Sequence, residues 1–158
     1  MSPLKIAGWI IGFAIGHYVG TSLLIPLVGT ILFAWLLKTF KRTDVILSVS
    51  VQAGHLSWIM AAALILHEFS AVVIFNFAIM GIGLLWLLIR PNLWSVLYLF
   101  FWQVFGVWDN GTQFFATVNS ASPHKSLVAH LLFRLMAIAA LVHEYNKLEK
   151  EKSEAVSA

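Results

Sequence analysis

Cysteine is absent from this chain of 158 residues. That excludes disulfides, thiolate nucleophiles, cysteine-held zinc and iron–sulfur clusters, and leaves any chemistry to histidine, carboxylates, amides and arginine. Charge is scarce as well: 11% of residues are Asp, Glu, Lys or Arg, where a soluble domain carries about a quarter. No polar stretch is long enough for a soluble catalytic domain, so an enzyme is not expected. The chain also lacks a phosphate-binding glycine loop, a Gly-x-Ser-x-Gly elbow and paired metal-binding cysteines. His67-Glu68 and His143-Glu144 begin like a zinc-protease motif, but neither has a second histidine four residues on.

What fills the chain is apolar. It is 60% hydrophobic and 14% aromatic, with a mean hydropathy of +0.87. These values predict an all-α, polytopic integral membrane protein. The apolar runs give six transmembrane helices, at about 4–20, 23–38, 45–66, 71–89, 93–108 or longer, and 126–143. Together they form a single membrane domain over residues 1–145, followed by a charged cytoplasmic tail over 146–158. Residues 109–113 (DNGTQ) read as an interruption of the fifth run, and Pro91 sharply ends the fourth. Residues 1–20 continue into further apolar sequence without a clean boundary, so they read as a span rather than a removed signal peptide.

Basic residues orient the helices. With the N-terminus inside, Lys5, Lys38, Lys41, Arg42, Arg90, Lys147, Lys150 and Lys152, eight of the ten, fall on the cytoplasmic side. Only Lys125 falls outside, and Arg134 lies within the sixth run. This is a positive-inside pattern with both termini cytoplasmic, expected for a bacterial inner membrane. It explains the sequence pI near 9.4 without nucleic acid. The partner is then the lipid bilayer. Residues 56–69 and 132–145 match at six positions in fourteen and both end in His-Glu-aromatic, the kind of similarity that two inverted three-helix halves would leave.

Two patterns bear on function. Gly8, Gly12, Gly16 and Gly20 recur every fourth residue, a glycine-zipper stripe that lets another backbone approach closely, within the chain or in a homo-oligomer or membrane complex. The second pattern is polar side chains in apolar runs, which are costly and tend to mark pathways or sites. Ser48, Gln52 and His55 share one face of the third run and suggest an interhelical hydrogen bond. Gln103, Gly106, Asn110 and Gln113 share a face of the fifth with Asp109 alongside, and Ser126, His130 and Arg134 share a face of the sixth.

Counting from the loops places His17, Asn76, Asp109, Asn110 and His130 at similar depth in the outer half, with Gln103 and Arg134 below them. Arg134 is too deep to reach water easily, so a counter-charge is expected from Asp109 or Glu68. This cluster suggests transport or channel-type movement of a small solute or ion. Two alternatives stand beside it. One is a non-enzymatic assembly subunit docking through the glycine stripe. The other is a haem b or metal redox protein, with His17 and His130 as axial ligands at equal depth on different helices.

Overall fold

The computed structural model describes residues 24–67, 69–117 and 125–157. The expected first span at 4–20, with its glycine stripe and His17, lies outside the described residues, as do Glu68 and the loop at 118–124. Among the described residues all regular structure is helical. It comprises α1 (Leu24–Thr39), a 3₁₀ turn (Thr43–Val45), α2 (Ile46–Leu66), α3 (Ala71–Ile89), α4 (Leu93–Thr117) and α5 (Lys125–Ser157). Three stretches, Thr43–Ile65, Ala71–Ile89 and Leu127–Ala155, are long and apolar enough to cross a membrane, and α1 is a shorter apolar helix.

Several boundaries have a local cause. α2 stops at His67, whose positive φ of 53° closes the helix through its N–H to the Ala63 carbonyl. Ser70 then caps α3, its hydroxyl accepting from the Val73 N–H at 3.3 Å. Pro91 separates α3 from α4, and Asn92 and Ser95 cap α4 reciprocally. Asn92 Oδ1 accepts from the Ser95 N–H at 3.0 Å, and Ser95 Oγ accepts from the Asn92 N–H at 3.2 Å.

Two expectations about helix ends need correction. Residues 109–113 do not interrupt α4, which runs on to Thr117. That stretch has no proline, and its side chains serve the helix: Thr112 Oγ1 donates to the Asp109 carbonyl at 2.7 Å, and Gln113 Nε2 donates to Asp109 Oδ2 at 3.1 Å. The similarity of 56–69 to 132–145 also ends in different structures. His67 terminates α2, whereas His143 lies inside a helix of 33 residues.

α2 is the hub, packing on α1, α3 and α5, while α4 bridges α3 and α5. Its contact with α1 is a backbone-to-backbone crossing at Gly29 and Gly54. A Cβ on Gly54 would come within 2.5 Å of the Pro26 carbonyl oxygen and 3.0 Å of the Thr30 nitrogen. No side chain fits there, so the two helices meet as closely as small residues permit. The opposite side of α2 packs Val45, Val49 and Leu56 into a core with Met80, Leu87, Val96, Leu99 and Leu141 from the three later helices. Large apolar side chains such as Ile31, Ile82, Phe101 and Phe105 point outward, the pattern of helices solvated by lipid tails. Trp94, 73% exposed at the second position of α4, is suited to a bilayer interface.

α2 and α5 run antiparallel, and the start of α2 meets the later part of α5. Ser48 Oγ donates to Glu144 Oε2 at 3.0 Å, Lys147 pairs with Glu144 at 3.4 Å, and Lys147 Nζ also donates to the Asp44 carbonyl. At about 50 Å, α5 exceeds the roughly 30 Å hydrocarbon layer, so its charged C-terminal turns extend beyond it.

Candidate functional site

Midway along the bundle, α2, α4 and α5 bring together a buried polar chain. His55 is the tenth residue of α2, Gln103 the eleventh of α4 and Arg134 the tenth of α5. Gln103 lies at its centre, fully buried. Its Nε2 donates to Gln52 Oε1 at 2.6 Å and stands 3.3 Å from His55 Nδ1. Because an amide N–H can only donate, Nδ1 acts as acceptor and the neutral imidazole carries its proton on Nε2. Gln103 Oε1 accepts from Arg134 Nη1 at 3.1 Å, and Gln52 Nε2 donates to the Ala137 carbonyl at 3.5 Å. The Gln52–Gln103 contact is the interhelical hydrogen bond that the polar face of α2 suggested.

Arg134 reaches this position because α4 has no side chain at Gly106. A Cβ there would overlap the guanidinium carbon and Nη1, so the guanidinium lies directly against the α4 backbone. Asp109, one of the two acids expected to balance it, acts on the guanidinium only from beyond ion-pair distance. Arg134 and Asp109 make no ion pair within 4.0 Å, Asp109 Oδ2 instead accepts from Gln113, and Glu68 lies outside the described residues. The nearest acceptor is the neutral amide of Gln103, which Gly106 makes reachable.

The chain is only partly satisfied. Among the described residues, His55 Nε2, His130 Nε2, Arg134 Nε and Asn110 Nδ2 are buried without a hydrogen-bond partner. His130 is held edge-to-face between His55 and Trp58, with ring centroids 4.7 Å and 4.6 Å away. It joins the network by packing rather than by a hydrogen bond. His17, its counterpart in the haem alternative, lies outside the described residues. No cluster of three or more metal-ligating side chains occurs among the described residues.

On the far side of Arg134 a groove of about 480 Å³ opens between α3 and α4. Phe75, Ile79, Met80, Trp102 and Phe105 form its apolar walls, and Asn76, Asp109, Gly106 and Arg134 its polar part. The structure therefore divides the expected outer cluster. Asn76, Asp109 and Arg134 share the groove, and Gln103 and His130 belong to the buried chain behind it. Asn110 is buried one turn along α4 from Gly106 and does not line the groove. Gln52 and His55, which the sequence assigns to an interhelical hydrogen bond rather than to the outer cluster, belong to the same chain.

No family model, curated protein or solved structure matches this chain.

Proposed function

We propose that this is a small multi-spanning membrane protein of transport or channel type, moving a small solute or ion through the polar cluster around Arg134. The observation that carries this reading is a buried guanidinium that makes no ion pair within 4.0 Å among the described residues and lines a groove of about 480 Å³. Magnitudes support it. An arginine at mid-membrane costs about 2.5–3.5 kcal/mol on insertion scales, whereas an interhelical polar contact returns about 0.6 kcal/mol on average. The bond to Gln103 does not offset that cost, which fits a cation retained for a ligand.

In this proposal residues 4–20 form a sixth span, both termini are cytoplasmic, and the membrane is a bacterial inner membrane. The basic residues at the α1–α2 turn, at Arg90 and along late α5 give that orientation. The test is flux in proteoliposomes loaded for proton, anion and small-solute gradients. Wild-type protein should dissipate or build at least one gradient, and Arg134→Gln should not. Absence of any flux from protein that keeps its helical spectrum and monodispersity would reject transport.

A further inference from the structure

The groove holds two opposite charges that make no direct ion pair. Arg134 is only 6% exposed, gives one Nη1 bond to Gln103 and has an unpartnered Nε. Asp109 lies on the same groove, three residues beyond Gly106, or about 4.5 Å along the α4 axis from the guanidinium's seat. Both are lining residues, yet no ion pair joins them within 4.0 Å. We infer that this groove binds a small zwitterion with an apolar side chain, the chemistry of an apolar α-amino acid, and that this is the solute class of the proposed transport.

Each part of such a molecule has a complement. A guanidinium recognises a carboxylate through paired N–H donors, and this one is seated against Gly106 and held by Gln103. The Asp109 carboxylate faces the ammonium, and the Asn76 amide can serve either charged end. Phe75, Trp102 and Phe105 offer aromatic surface to an apolar side chain. The groove volume falls within the range of about 300–1,000 Å³ usual for small-molecule sites. A simple anion would leave Asp109 repelled beside it, and a simple amine would sit against Arg134. Only a ligand bearing both charges satisfies both residues.

The inference rests on the transport reading for its biological sense, but binding tests it separately. Full-length protein in detergent would be titrated calorimetrically with L-phenylalanine, with 3-phenylpropanoate, which lacks the amine, and with phenethylamine, which lacks the carboxylate. Saturable phenylalanine binding is expected, at least tenfold tighter than either analogue. Arg134→Gln should abolish it. Asp109→Asn, at an exposed position with little structural burden, should remove the discrimination against 3-phenylpropanoate. Equal binding of phenylalanine and 3-phenylpropanoate by the wild type, or no binding of any of the three, would overturn the inference. Uptake of [³H]phenylalanine into proteoliposomes then separates the two claims. Zwitterion-selective binding without uptake upholds the site and rejects transport. Flux of anions or protons without phenylalanine binding upholds transport and rejects the zwitterion.

Discussion

Two polar clusters lie along the α2–α5 seam, and they are finished differently. At one end Ser48, Glu144, Lys147 and the Asp44 carbonyl form a closed set, with Glu144 only 2% exposed and engaged by both a hydroxyl and an ammonium. In the middle, Gln52, His55, Gln103 and Arg134 form a chain that leaves polar atoms unpartnered among the described residues and opens on a groove. Closed polar sets lock helices together, while incomplete ones retain valence for something else. The comparison therefore separates a structural cluster from a candidate site on the same pair of helices. Substitutions can challenge it, and their expected effects on stability fall in a definite order.

The largest effect is expected away from both clusters, where α2 leans on α1. In Gly54→Ile the new side chain meets backbone atoms of Pro26 and Thr30, which cannot rotate aside. Overpacking costs about 1–3 kcal/mol and occasionally more, and a clash with backbone belongs at the upper end. Thermal unfolding in detergent should show a large fall in midpoint with loss of monodisperse protein. An unchanged midpoint would mean that α1 does not pack on α2 through this crossing, and the hub role of α2 would need revision.

Next comes the closed cluster. Glu144→Ala removes the acceptor of Ser48 Oγ and the partner of Lys147, and should cost about 1–3 kcal/mol. Glu144→Gln retains an oxygen for Ser48 and should fall between. Equal stability of Glu144→Ala and wild type would show that this end is not a lock, and the contrast with the middle would lose its basis.

Much of this architecture was legible in the sequence, for reasons visible in particular residues. Apolar runs bounded by Pro91 and by basic residues located α2, α3 and the start of α4 within a residue or so, since the cost of unsatisfied backbone in lipid leaves few alternatives. Residues 109–113 misled because Asp, Asn and Gly are turn formers in isolation, whereas here side-chain bonds and neighbouring apolar residues keep them helical. The Gly29–Gly54 crossing was missed because two single glycines on separate helices produce no period, unlike a stripe of four. At the site, helical spacing gave the polar faces but not their rotation or relative depth. A deep arginine points to an acid, whereas its hydrogen bond goes to a neutral amide beside a glycine, with Asp109 beyond ion-pair distance.

A smaller effect on stability is expected at Gly106. In Gly106→Ala, helix propensity improves by about 1 kcal/mol, while the methyl group pushes the guanidinium off α4. The displaced atoms are the far end of a flexible side chain, so the net change in unfolding free energy should stay within about 1 kcal/mol. Ligand binding should nevertheless be lost, because the guanidinium no longer meets Gln103 in its fixed orientation. Retained binding with wild-type affinity would show that the seat on Gly106 is not what positions Arg134.

The smallest effect on stability is expected from removing the charge itself. Arg134→Met keeps a long flexible chain able to fill the space beside Gly106 and relieves the desolvation of a buried cation. The cation it removes carries an insertion cost of about 2.5–3.5 kcal/mol at mid-membrane. Against this, Gln103 Oε1 loses its donor, at about 1–3 kcal/mol. The two terms are of similar size and opposite sign, so the unfolding midpoint of Arg134→Met should lie close to that of the wild type, well above that of Glu144→Ala. Binding of L-phenylalanine should disappear in the same preparation. This pairing of intact stability with lost binding is what a functional cation requires and a structural one forbids. If Arg134→Met instead falls as far as Glu144→Ala, the middle of the seam is a second lock, and the groove beside it loses its claim to be the site.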